Sequence, residues 1–462
     1  MAALAPPSAV AATRTPSSSR RRRTSRLRAS SSSSEERVVL EMPADSDRRR
    51  RSIAASSSPS RRDFLLASAP AAASLLLPAR PARADDLFCG YYAENQSVTP
   101  QWAFKTPWSE GFVDVSNATK IPDAKTFLRV LGSQAVASEA NHLPVLCLHG
   151  GPGLGFKYME ACEVLASERR EVASYDQIGC ARSALKPRLS DGAVRAPPPP
   201  GTFTPELFDA ELTAIREAAG LDRVHIVAHG WGAMLALDHA LGPGGGGKGV
   251  ASVTLISAPP SYKRLIEDRV ASLSAPGFRQ DYAEVLMEGD AGAGGGSALS
   301  DAGRALYDKA MAAWIDARVS ARAAGACYEG LRVGGAGEGF GALRNTPASD
   351  VGVRSSSAVW KDMAGGKMFA VDGALSDWDA DANGRLASAA ESGVRAVKVY
   401  RGENDALSRD AAMEVVDGLA RGVMDKSGVA FEEVEGAGSC VHLDRSAFFL
   451  DGVNAFISAH DA

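Results

Sequence analysis

The chain has 462 residues, with 51 Lys+Arg against 55 Asp+Glu and a formal net charge of −4. The charge is unevenly placed. Residues 1–84 hold 16 Arg, no Lys and 6 acidic residues, which leaves 35 basic against 49 acidic residues and a net charge of −14 in the rest of the chain; an acidic surface of that size repels phosphate backbones and argues against nucleic acid as a partner.

Residues 1–34 contain seven Arg, many Ser and Ala and no Asp or Glu, the composition of an organelle transit peptide. A second signal follows: Ser60-Arg61-Arg62-Asp63-Phe64-Leu65-Leu66 leads into an Ala/Leu stretch that ends at Pro78, and Ala82-Arg83-Ala84 offers an A-x-A cleavage site. In series the two resemble a chloroplast transit peptide ahead of a twin-arginine signal. Residues 1–84 are therefore expected to be removed and the mature chain to reside in the thylakoid lumen. The apolar stretch Phe64–Leu77 is 14 residues long and broken by Pro70, too short for a stable membrane span.

The remaining chain is long enough for one large domain with an inserted subdomain. Apolar runs separated by turn residues alternate with helical patterns, which predicts an α/β fold with a mostly parallel sheet. Eight strands are expected, over Gly111–Ile121, Thr126–Gly132, Pro144–Leu148, Val172–Asp176, Val224–Ala228, Ala251–Ser257, Ala396–Arg401 and Ala430–Val434. Between them, Leu207, Phe208, Leu212, Ile215 and Ala218 form a helical stripe over Pro205–Ala219. The strand pattern stops after Ala258 and resumes near Val394, and the stretch between has helical segments such as Leu306–Arg322. The expected organisation is a core over 85–258, a helical cap over 259–375, and the rest of the core over 376–462.

The segment Arg223-Val-His-Ile-Val-Ala-His229-Gly230-Trp231-Gly232-Ala233 reads as a strand, a tight turn and the start of an apolar helix. That is the layout of a nucleophile elbow, in which Gly-x-Ser-x-Gly exposes a serine on a strained turn; here Gly230 holds the serine's place. His229 precedes the turn, and strand alternation predicts that it points away from the cavity as a packed or hydrogen-bonded histidine. The six cysteines show no C-x-x-C pair, and no His stands at zinc-ligand spacing, so they read as buried residues or an occasional disulfide. Cys180 and Cys440 fall near the elbow motifs but have no neighbouring base at a convincing spacing. No metal or cofactor is expected. Gly242–Gly249 approximates a P-loop but follows a helix and lacks the terminal Ser/Thr; Asp379–Gly384 approximates half of a calcium loop whose twelfth position is Ala390. The first is read as a loop, and the second leaves no more than a weak surface calcium site.

Two more landmarks complete a family pattern. His149-Gly150-Gly151-Pro152-Gly153 follows the third strand, and Asp176-Gln177-Ile178-Gly179-Cys180-Ala181-Arg182-Ser183 follows the fourth. With Trp231 after the elbow, and with Met363-Ala-Gly365 and Phe369-Ala-Val-Asp-Gly373 in the cap, the chain from Pro144 onward resembles the proline iminopeptidases, serine peptidases of the α/β-hydrolase fold. The resemblance implies that backbone N–H groups of Gly151 and Trp231 form an oxyanion hole, with His149 and Gly150 bordering the substrate. It also implies a triad, of which only the acid is present, as Asp405. The nucleophile position is Gly230, and the histidine position is Ser439 in Gly436-Ala437-Gly438-Ser439-Cys440-Val441-His442. His442 stands three residues on and is a candidate substitute. Met368 occupies the place of a glutamate that the family uses for the substrate's free amine, and Lys367 beside it would repel an ammonium group.

Three readings follow: a pseudoenzyme that binds a small peptide or other small ligand under the cap, a working hydrolase that uses His442, and a lumenal scaffold with a protein partner. The first fits the loss of nucleophile, base and amine anchor together.

Overall fold

The structure is a computed structural model that describes residues 106–242, 247–291, 299–320, 356–422 and 428–461. Its centre is built by strands whose every residue is buried: β3 (Val145–Leu148), β4 (Val172–Tyr175), β5 (Val224–His229) and β6 (Val250–Ile256). Such runs are what parallel strands covered on both faces require. With β1 (Trp108–Asp114), β2 (Lys125–Leu131), β7 (Ala396–Gly402) and β8 (Val429–Val434) they form one sheet of order β1-β2-β4-β3-β5-β6-β7-β8. The β1/β2 and β2/β4 pairs are antiparallel and the others parallel. The expected eight-stranded, mostly parallel sheet is therefore present. The first strand is shorter than expected because Asp114 Oδ1 accepts the Ser116 N–H at 2.9 Å, turning the chain into a short helix.

That helix is α1 (Ser116–Thr119), followed by α2 (Gln134–Ala140) and a 3-10 stretch, Phe156–Glu168. The predicted stripe forms α3 (Pro205–Ala218), started by Pro205 and by the Thr204 hydroxyl, which accepts the Leu207 N–H at 3.3 Å. The elbow leads into α4 (Trp231–Leu241). Between β6 and β7 lies the helical insertion: α5 (Tyr262–Ser272), α6 (Gln280–Ala291), α7 (Asp301–Arg318) and α8 (Ser357–Ala364). Hydroxyls of Ser261, Ser300 and Ser356 cap α5, α7 and α8. The Ser300 cap starts α7 earlier than the apolar pattern from Leu306 implies. Trp314 of α7 is buried and donates from Nε1 to Ser272 Oγ at 2.9 Å, which ties α7 to α5. The fold closes with α9 (Arg409–Gly422), α10 (Val441–Asp444) and α11 (Ser446–Ser458).

Four cysteines, Cys147, Cys162, Cys180 and Cys440, are buried free thiols. Among the described residues no helix is long and apolar enough to cross a membrane, and no group of three or more His, Cys, Asp or Glu could hold a metal ion. The expected leader over 1–84, Cys89, Cys327, the glycine tract Gly334–Gly341 and parts of the tracts at 242–249 and 289–296 lie outside the described residues.

The elbow depends on two glycines for different reasons. A Cβ on Gly232 would lie 2.4 Å from the Leu148 carbonyl oxygen and 2.6 Å from that of His149, backbone atoms that cannot give way locally. A Cβ on Gly230 would meet nothing within 4 Å, although φ there is +55°. Gly232→Ala is therefore expected to lose more than about 2 kcal/mol of stability by overpacking, and Gly230→Ala only about 1–2 kcal/mol from backbone strain. Urea midpoints of the two variants check this, and equal losses would contradict it.

Candidate active site

Three loops meet at the carboxyl ends of β3, β4 and β5, and one histidine joins them. His149 is fully buried; its Nε2 accepts the Gln177 backbone N–H at 2.9 Å, and its Nδ1 lies 2.9 Å from the Gly150 carbonyl. An Nε2 that accepts leaves the proton on Nδ1, so the ring is neutral, in keeping with burial pushing its pKa down. Gln177 returns a bond from Nε2 to the His149 carbonyl and accepts the Trp231 indole N–H at 2.8 Å. His149, Gln177 and Trp231 thus lock the HGGPG turn, the loop after β4 and the elbow into one frame. Asp176 supports it from below, accepting Phe156 N at 2.8 Å and Arg182 Nε at 2.9 Å.

A cavity of about 720 Å³, including its open mouth, lies over this frame. Gly151, Pro152, Gly230, Trp231, Ser257, Asp405 and Ser439 line it from the sheet side; Tyr262, Arg269, Trp314, Arg318 and Trp360 line it from the insertion. The structure therefore brings Gly151, Trp231, Gly230, Asp405 and Ser439, five of the residues expected at the site, together around one space. Gly230 takes φ 55° and ψ −116° at the start of α4. Asp405 Oδ1 accepts the Leu407 N–H at 3.0 Å, while Oδ2 is buried without a hydrogen-bond partner. Burial raises the Asp405 carboxyl to about 6 despite nearby Arg401 and Arg269.

Ser439 is no mobile stand-in for a base. Its N–H and that of Cys440 donate to the carbonyls of Arg318 and Val319 at 2.9 and 2.8 Å, sealing this loop to the end of α7. Its hydroxyl lies 3.4 Å from the Val319 carbonyl.

His442 sits elsewhere. It is fully buried, does not line the cavity, and packs against His229, Tyr158 and Phe449 at ring-centroid distances of 5.2, 5.5 and 6.1 Å. Neither ring nitrogen has a formed hydrogen bond, and burial pushes its pKa well below the usual imidazole range. His229 departs from the expectation drawn from strand alternation. It is hydrogen-bonded, as expected, with Nδ1 2.9 Å from the Tyr158 hydroxyl, yet it also lines the cavity. It is the last residue of β5, and the reversal at Gly230 leaves it at the cavity edge. The Tyr158 hydroxyl accepts the Gly150 N–H at 2.5 Å, and His229 Nε2 lies 3.8 Å from Cys440 Sγ, so a chain of polar contacts runs from the HGGPG turn to the loop that carries Ser439 and Cys440. Burial lowers His229 to about 4 and keeps it neutral.

His149, Gly150 and Met368 do not line the cavity. Met368 is buried and its N–H donates to Asp290 Oδ1 at 2.8 Å, with Phe369 N on Oδ2 at 2.7 Å. Lys367 pairs with Asp372 at 2.7 Å and does not line the cavity either; the cations that do are Arg269 and Arg318. Tyr158 and these two arginines were not singled out by motif or spacing, and Gln177 entered only as a member of the landmark after the fourth strand, with no role of its own.

The sheet order, the elbow and the covered cavity define the α/β-hydrolase fold. The family profile described as the alpha/beta hydrolase fold matches residues 144–302. The proline iminopeptidase of Lacticaseibacillus rhamnosus (strain Lc 705) is 31% identical over 147 residues, 31% of this chain and 44% of that protein. That of Lactobacillus delbrueckii subsp. lactis is 33% identical over 142 residues, 30% and 42% of the two chains. The match thus spans less than half the length of these curated relatives. Among solved structures, the proline iminopeptidase of Mycobacterium smegmatis superposes with a TM-score of 0.54 at 24% identity, covering 76% of this chain and 99% of that one. VinJ gives 0.55 at 22% identity, covering 76% and 99%. Both show the fold. The chain has the α/β-hydrolase fold, and part of it is similar in sequence to proline iminopeptidases.

The raised Asp405 carboxyl has a consequence for stability. With an unfolded value of 3.8 and a folded value of about 6, the folded state binds more protons between these limits. Stability therefore falls as pH rises across that window, by at most about 3 kcal/mol. Asp405→Asn is expected to stabilise the protein by about 1–3 kcal/mol at pH 7.5, with the gain fading toward pH 4. Thermal melts across that range check it, and a destabilised variant at pH 7.5 would contradict it.

Proposed function

We propose that this chain is a catalytically silent member of its fold that binds a small ligand in the cavity under the insertion. One observation carries the reading: the elbow is intact in backbone and open to the cavity, but the residue on it is Gly230, which has no nucleophile. The position that would hold the base is Ser439, pinned by its backbone to α7. Loss of the serine or the histidine from a hydrolytic triad costs on the order of 10⁶ in kcat, and loss of both leaves only what oxyanion donors and binding supply. A rescue through His442 would require a fully buried ring behind Tyr158 and His229 to reach the cavity. No described feature favours the scaffold reading.

The leader composition supports delivery to the thylakoid lumen. Amino-terminal sequencing of the protein recovered from lumenal fractions is expected to begin at Asp85; a chain retaining Arg61 and Arg62 would contradict this.

The chemical claim is tested by hydrolysis of a prolyl chromogenic amide and a short-chain ester. The mature chain from Asp85 is expected to show no turnover, and the Gly230→Ser/Ser439→His double variant to gain it, since a Cβ on Gly230 meets no atom within 4 Å. Turnover by the native chain that survives purification controls would overturn the proposal.

A further inference from the structure

The charge inside the cavity differs from what a site for a peptide amine requires. Arg269 from the end of α5 and Arg318 from the end of α7 both face it, against one carboxylate, Asp405. Among the described residues neither arginine forms an ion pair within 4.0 Å. Arg269 has a single long hydrogen bond, Nη1 to the Met368 carbonyl at 3.4 Å. Arg318 Nε is buried without a hydrogen-bond partner. Buried guanidinium groups are expensive unless they are hydrogen-bonded, and an unpaired one facing a cavity points to a ligand that completes it. The rest of the wall is apolar and aromatic, chiefly Trp231, Tyr262, Trp314 and Trp360.

We propose that the cavity takes a small organic carboxylate with an apolar or aromatic body, its carboxylate held by Arg269 and Arg318 and its body against the tryptophan wall. The proposal rests on the reading of the cavity as a binding site. A guanidinium presents N–H donors in a fork that matches a carboxylate, and it is the side chain best suited to do so in a partly dry site. The same two cations repel an ammonium group, so the site is opposite in sign to one that anchors a free amino terminus. Both sit at helix ends of the insertion, and the Arg318 carbonyl accepts the Ser439 N–H at 2.9 Å, so Arg318 stands beside the Ser439 loop.

Titration calorimetry of the mature chain with 4-phenylbutyrate, 4-phenylbutyramide and 4-phenylbutylamine tests this. These probes share a body and differ in the charge of one end. The acid is expected to bind at least about tenfold tighter than the amide, as two charge-assisted hydrogen bonds allow, and the amine to bind weakest. In Arg269→Gln/Arg318→Gln the acid is expected to fall to the affinity of the amide while the amide stays unchanged, which also reports that the cavity is folded. Absence of acid binding, equal affinity for acid and amide, preference for the amine, or an acid preference that survives the double substitution would each overturn the proposal. Hydrolysis of methyl 4-phenylbutyrate by the native chain is read in the same samples. Turnover there would overturn the catalytically silent reading and leave the carboxylate preference to be decided by the titration.

Discussion

The sharp reversal between β5 and α4 is the constraint on which the cavity depends. Gly230 must adopt a left-handed backbone, and Gly232 must bring the start of α4 against the carbonyls that end β3. Once that turn is made, Trp231 reaches Gln177, Gln177 reaches His149, and three loops that are far apart in sequence become one rigid floor. A glycine at position 230 takes that conformation at lower steric cost than a serine does. The scaffold can therefore persist, and even relax, when the hydroxyl is gone.

The other half of the site is tied down by backbone hydrogen bonds. In a working triad the residue after the last strand must present a ring to the nucleophile and move protons during each cycle. Here the loop is fastened to α7 through two backbone hydrogen bonds, and the histidines nearby are neutral and enclosed. His229, Tyr158 and the Gly150 N–H form a chain that holds the floor from beneath. Gly151, Trp231 and Asp405 line the cavity, while the nearby imidazole rings serve packing and hydrogen bonding.

Much of this was legible in the sequence because the signals are local. The buried strands are short, mostly apolar runs bounded by turn residues, the elbow is announced by Gly230 and Gly232, and Asp405 and Ser439 fall in turns after strands. Other parts were not legible. Arg269 and Arg318 lie on separate helices and converge only when Trp314 packs α7 onto α5, which no spacing records. Met368 resembles an anchor position by alignment of motif, but Asp290 draws its backbone away from the cavity. His229 finds a hydrogen-bond partner in Tyr158, as expected, but it sits where the strand ends and so borders the space that alternation would aim it away from.

The most direct measurement is the intact mass of the mature chain after incubation with a fluorophosphonate, which forms a phosphorus–oxygen bond to an activated serine and releases fluoride. The native chain is predicted to keep its mass, and the Gly230→Ser/Ser439→His chain to gain one adduct on residue 230. An adduct on the native chain, at Ser257 or Ser439, would show that an activated serine exists in this cavity and contradict the account.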